Sequence, residues 1–182
     1  MTKISDRFRR RAAAFTDRVE AVPPDRWDDP SPCEDWVARD IIQHMVENGQ
    51  RFYSLIGREY PPGPSVSDDP VGAWRNARDA IQAALDDPEI AQTEYDGQMG
   101  KATFEQGFDR FGNPDLIVHT WDLARATGGD ERLDPDEVHQ VFEALRPADE
   151  MMRRPGVFGP KIEPPHDADE QTQFLAFTGR RV

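Results

Sequence analysis

The sequence predicts an all-α fold: an antiparallel helical bundle with added short elements and a C-terminal tail packed on it. Three observations predict this. Apolar residues recur at helical spacing almost everywhere. Proline and glycine clusters break the chain between the periodic stretches. No internal repeat, low-complexity tract or glycine phosphate loop interrupts the pattern. Helices joined by such breakers bury their stripes against one another as a bundle.

The elements follow in order. A first helix is expected from about Ile4 to Val22, with Phe8, Ala12, Phe15, Val19 and Val22 on one stripe. "PPDRWDDPSP" ends it. A second runs from about Val37 to Gly57, its inner stripe formed by Val37, Ile41, His44, Met45, Asn48, Phe52 and Leu55. After the breaker "YPPGPSVSDDP", a third spans about Val71 to Leu85, with Trp74, Ala77, Ile81 and Leu85 facing in. From Pro88 to Lys101 strand and loop stay equally open. A short helix is expected around Phe104 to Phe111. "NPDL" then reads as a fresh helix start, with Asn113 as cap, Pro114 at the first position and Asp115 at the positive end of the dipole. Leu116, Val118, Leu123 and Ala126 are its apolar residues, and Gly128 and Gly129 stop it. Asp134 and Pro135 open another helix that reaches about Arg153, disturbed at Pro147. The tail carries Val157, Phe158, Ile162, Phe174, Leu175 and Phe177, too apolar to stay free.

The chain has 182 residues and a formal net charge of −13. That length suits one domain, read as a bundle over 1–155 and a packed tail over 156–182. So acidic a surface repels phosphate backbones and anionic lipid, which argues against nucleic-acid and membrane partners. The single cysteine, Cys33, excludes an intrachain disulfide and reads as packing in a reducing compartment. No apolar run is long enough to span a bilayer. The basic N-terminus has no apolar segment behind it, so no signal peptide is expected and the location reads as cytoplasmic.

"DLIVHTWDLARATG" raises the functional question. Asp115 and His119 are four residues apart and leave one helical face about a turn apart. His44 interrupts an otherwise apolar stripe on the second helix. If these helices pack together, two imidazoles and a carboxylate converge, a donor set that suits a divalent transition metal and leaves positions open. Plainer readings stand beside this one: Asp115 as a helix-start acid, His44 as a core histidine bonded to a carbonyl. Asp40 reads as an outer support of the site or a first-turn acid. Asn48 lines the site or makes a core hydrogen bond. Asp122 orients His119 or lies exposed. Trp36, Trp74 and Trp121 are core or pocket wall, Phe52 and Trp121 form or fill a pocket near the metal, and His139 and His166 are solvated.

Three stretches, "RWDDPSPCEDWVARDIIQHMVENGQRF", "DLIVHTWDLARATG" and "GVFGPKIEPPHDADEQTQFLAFTGR", occur in this order. Together they resemble the N-terminal domain family of the mycothiol-dependent maleylpyruvate isomerases, and more narrowly its short single-domain members from actinobacteria. The resemblance covers nearly the whole chain and is weakest between Gly63 and Gly100. It implies the DinB-like metal-binding four-helix bundle, with a histidine on the second helix and a Glu-x-x-x-His on a later one. Here those positions carry His44, Asp115 and His119. Asp115 stands where the isomerases have Glu, Pro114 precedes it, and Val37 replaces a usual capping Thr while Asp40 is kept. The isomerases' separate C-terminal domain is represented only by the short tail.

The resemblance implies a metal-dependent thiol transferase or isomerase. Its cofactor would be a divalent metal, zinc or nickel by donor type, and its partners mycothiol as cosubstrate and a small electrophilic substrate. The alternative is a non-catalytic bundle binding a metal or small ligand. The sequence leaves monomer and homodimer equally open.

Overall fold

The computed structural model describes residues 2–97, 100–153 and 158–182. Four long helices form the body: α1 (Lys3–Ala21), α2 (Ala38–Leu55), α3 (Pro70–Asp86) and α5 (Phe104–Thr127). They pack in a ring, α1 on α5, α5 on α2, α2 on α3 and α3 on α1. Their inward stripes meet in one core containing Phe8, Phe15, Ile41, Ile42, Trp74, Ile81, Leu85, Phe104, Leu116 and Leu123. The stripes expected for the first and third helices are buried throughout, whereas Leu55, at the last turn of α2, is 42% exposed.

The stretch left undecided contains a short helix α4 (Pro88–Ala91) and an antiparallel hairpin, β1 (Glu94–Gly97) on β2 (Gly100–Thr103). The hairpin hands the chain to α5, whose first turn is capped by Thr103 accepting from the Gln106 N–H.

The expected break at Asn113–Pro114 is absent. α5 runs unbroken from Phe104 through Pro114 to Thr127, and Gly128 stops it in the left-handed region at φ 72°. Asn113 caps nothing; its amide donates to Asp109 Oδ1 at 2.9 Å. A proline inside a helix costs about 3 kcal/mol. Each large apolar side chain that is fully buried contributes about 1.5–3 kcal/mol. Phe104, Phe108 and Leu116 are all buried on the two sides of Pro114, so tertiary packing carries the helix through it. Asp115 is therefore a mid-helix residue, not a first-turn acid.

After α5 the chain forms a second core. The helix expected to reach Arg153 is instead α6 (Pro135–Leu145), capped by Asp134, followed by a 3-10 turn at Arg146–Ala148 and a short α7 (Asp149–Met152). The disturbance sits at Pro147, as expected. The tail does pack back: α8 (Glu170–Phe177) lies on α6, and Phe174, Leu175 and Phe177 join Ile117, Val118, Trp121, Val141 and Phe142. Phe158 packs against this cluster, and Val157 lies outside the described residues. Buried Arg11 on α1 donates to Glu137 on α6 at 2.7 Å, tying this core to the bundle. Among the described residues no helix is long and apolar enough to cross a membrane.

Candidate metal centre

α2 and α5 pack side by side, so the faces of His44 and Asp115 meet. His44 Nε2 lies 2.8 Å from Asp115 Oδ2. His119, one turn beyond Asp115, places its Nε2 3.4 Å from Asp115 Oδ1. One ligand atom from each of the three residues falls within 4.8 Å of the other two. His119 is nearly enclosed, but 29% of the His44 side chain and 22% of the Asp115 side chain remain exposed, so the cluster opens to solvent. On its inner side a cavity of about 20 Å³, bordered by Asn48, Asp115, Phe8, Met45 and Phe108, has room for about one water.

Proton placement tests whether this cluster suits a cation. Asn48 Nδ2 donates to Asp115 Oδ2 at 2.7 Å and also sits 2.9 Å from His44 Nε2. A proton on His44 Nε2 serves Asp115 but faces the amide donor. A bare Nε2 accepts from Asn48 but faces a carboxylate lone pair. No single tautomer satisfies all three contacts. A divalent cation needs both Nε2 atoms bare and the carboxylate ionised, so it would remove this conflict. The donor set of two imidazoles and one carboxylate is one that zinc and nickel accept.

Charge is concentrated here. Burial alone would raise the Asp115 pKa, but His119 and His44 overcome it and hold the carboxyl well below its usual range. Burial would lower the His119 pKa, yet Asp115, Asp122 and Cys33 raise it well above the ordinary imidazole value.

His119 Nδ1 points to a second cluster. It lies 2.9 Å from Asp122 Oδ2, close in distance but off the N–H axis, so it makes no aligned hydrogen bond. Cys33 Sγ contacts the same oxygen at 3.4 Å. Cys33, His119 and Asp122 also have metal-ligand spacing. However, the Arg180 guanidinium already occupies the cation's place, 2.8 Å from Asp122 and 3.5 Å from Cys33. The first trio is therefore the better metal candidate.

The other expected site residues separate clearly. Asn48 touches both His44 and Asp115, and Asp122 is fully buried against His119 rather than exposed. Asp40 accepts the Val37 N–H at 2.8 Å and so acts as a first-turn acid that caps α2. Phe52 belongs to the main core, with its ring 5.0 Å from Phe108. Trp121 faces the second core under Arg125. The aromatic wall is Trp36 instead, stacked on His119 with ring centroids 5.9 Å apart and tilted by 50° against His44 at 5.1 Å. Its loop includes Asp35 at φ 63°, a strained conformation for a residue other than glycine. His139 pairs with Glu170 at the surface. Sequence reasoning missed Arg180, because 58 residues separate it from Asp122.

Residues 8–124 match the family described as the mycothiol maleylpyruvate isomerase N-terminal domain, over more than half of the chain. The chain belongs to this family. The matched stretch contains His44, Asp115, His119 and Asp122, whereas α6, α8 and Arg180 lie beyond it. The chain is also 28% identical over 171 residues to the uncharacterized protein MT0763 of Mycobacterium tuberculosis (strain CDC 1551 / Oshkosh), covering 93% of each chain. The uncharacterized protein Rv0738 of Mycobacterium tuberculosis (strain ATCC 25618 / H37Rv) has the same identity and coverage. Both relatives match well past residue 124, so the similarity to them extends into the second core. No solved structure gives a significant match.

Proposed function

We propose that this member of the mycothiol maleylpyruvate isomerase N-terminal domain family is a metal-dependent thiol transferase or isomerase. In this reading it joins mycothiol to, or moves it within, a small electrophilic metabolite in the cytoplasm. The observation that supports it is the convergence of His44, Asp115 and His119 from two helices at a position solvent can reach. His44 and His119 each offer an Nε2 donor to a cation that displaces the ring proton there, and Asp115 supplies the negative charge. Asn48 holds the Asp115 carboxylate by its amide N–H. Trp36 walls the histidines from one side and limits water there. Bound to these residues, a zinc or nickel ion would supply the positive charge that keeps a thiol sulfur ionised at neutral pH, the form that attacks electrophilic carbon.

The test is elemental analysis of tag-free protein with a His44→Ala control, followed by turnover of an electrophile with and without mycothiol. The reading expects about one zinc or nickel per chain, lost in the control, and thiol-dependent product. Absence of metal after incubation with zinc and nickel overturns it.

A further inference from the structure

Arg180, just after α8, reaches Asp122 on α5. α8 ends at Phe177, and Gly179 takes φ 87°, a left-handed conformation that a side chain would strain. The turn sends Arg180 back toward α5. Its Nε donates to Asp122 Oδ1 at 3.2 Å and its Nη2 to Asp122 Oδ2 at 2.8 Å, the two-pronged geometry guanidinium makes with carboxylate. The same Nη2 lies 3.5 Å from Cys33 Sγ. Nη1 donates to the Thr178 carbonyl at 2.8 Å, which braces the guanidinium from its own segment. Only 12% of the Arg180 side chain is exposed, and the Asp122 side chain is fully enclosed.

A carboxylate buried this deeply needs a counter-charge. His119 supplies only part of it, because its other nitrogen faces Asp115. The guanidinium cannot lose its proton, so it keeps Asp122 an acceptor-only group. Asp122 Oδ2 stands 2.9 Å from His119 Nδ1 but off the N–H axis, so it acts on the ring through its charge rather than an aligned hydrogen bond. That charge favours keeping the proton on Nδ1 when Nε2 is bared toward the trio, and a carboxylate beside a metal-ligating histidine supports it in this way.

We infer that Arg180 is a positioning residue for the metal centre, acting through Asp122 on His119, so that the C-terminal tail completes a site whose proposed ligands all lie on α2 and α5. This rests on the metal-site reading above. It also gives the tail a task beyond covering the second core.

The test is zinc affinity, measured by competition with a chromophoric chelator on the full chain. Arg180→Ala should weaken zinc about 10–100-fold, as loss of an outer-shell partner does. Arg180→Lys, which keeps the charge but not the fork, should recover part of that loss. The decisive comparison uses Asp122→Asn, which removes the buried charge and keeps the double variant foldable. If Arg180 acts through Asp122, Arg180→Ala changes affinity less than about twofold in the Asp122→Asn background. Phe177→Leu loosens the tail without touching Asp122; it should lower Tm and leave zinc affinity unchanged.

The inference is overturned if Arg180→Ala binds zinc within about twofold of wild type, or loses as much in both backgrounds. It is equally overturned if Phe177→Leu weakens zinc as strongly as Arg180→Ala, since tail docking alone would then account for the effect. A wild-type chain that holds no zinc overturns the metal reading itself, whereas zinc binding indifferent to Arg180 overturns only this inference.

Discussion

The two ring nitrogens of His119 face two clusters that solve one electrostatic problem differently. On the Nε2 side, Asp115 meets two imidazoles and an amide, is partly open to solvent, and among the described residues makes no ion pair with a lysine or arginine. On the Nδ1 side, Asp122 is sealed from solvent and carries a permanent cation, Arg180. A buried carboxylate is costly without a counter-charge. The sealed cluster carries a guanidinium that cannot lose its proton; the open one is balanced only by titratable imidazoles, whose protons a metal ion can displace. This difference, more than the spacing of the donors, separates a structural ion pair from a candidate metal centre, since both clusters have metal-like spacing.

Four measurements break or sharpen the contrast. The largest effect is expected from His119→Ala, which empties the residue common to both clusters. It should abolish metal binding and cost about 3–5 kcal/mol in denaturant unfolding of the metal-free protein, because both carboxylates lose a partner. Unchanged metal content would remove His119 from the site. Next, zinc at a hundredfold excess over its dissociation constant should stabilise the wild type by about 2.7 kcal/mol and His44→Ala not at all. Equal stabilisation of both would put the ion elsewhere, the Cys33 side being the first place to look.

Asp115→Glu, a longer acid in the open cluster, should change zinc affinity less than about tenfold, or about 1.4 kcal/mol. A complete loss would show that the shorter carboxylate is matched to this backbone. The smallest effect belongs to an exposed counterpart of the His119–Asp122 pair. His139 on α6 meets Glu170 on α8 at 2.8 Å, and this partner raises the His139 pKa. A raised histidine pKa stabilises the fold below the unfolded value near 6.5, and the gain disappears as pH rises through the folded value. His139→Gln should therefore lower Tm by about 2 °C or less near pH 5.5 and match wild type near pH 9. A Tm difference that persists at the higher pH would mean the pair acts by packing rather than charge.

The helices of the body were legible because their cause is local. Phe8, Ala12, Phe15 and Val19 recur at the helical period, as do Trp74, Ala77, Ile81 and Leu85, and all eight are buried. Asp134 and Gly128 mark boundaries where expected, since caps and left-handed stops depend on adjacent residues. Pro114 misled for the same reason: local chemistry favours a start there, and only the packing around Phe108 and Leu116 carries the helix through. The convergence of Asp115 with His119 was readable from their spacing, and His44 stood out in its stripe. Asp40, Phe52 and Trp121 share helices with the site residues, but their directions are set by what each helix packs against.

By itself, then, the sequence determined an all-α bundle and the helix faces that carry the polar trio, because each depends on residues within a turn or two of one another, and the family, because its three stretches stand in order along the chain. Only the tertiary structure decided that α5 runs unbroken through Pro114, that Trp36 rather than Phe52 or Trp121 walls the histidines, and that Arg180 closes on Asp122. These depend on side chains brought together across the chain, and such contacts form only when burying apolar surface outweighs the entropy of ordering the segments between them.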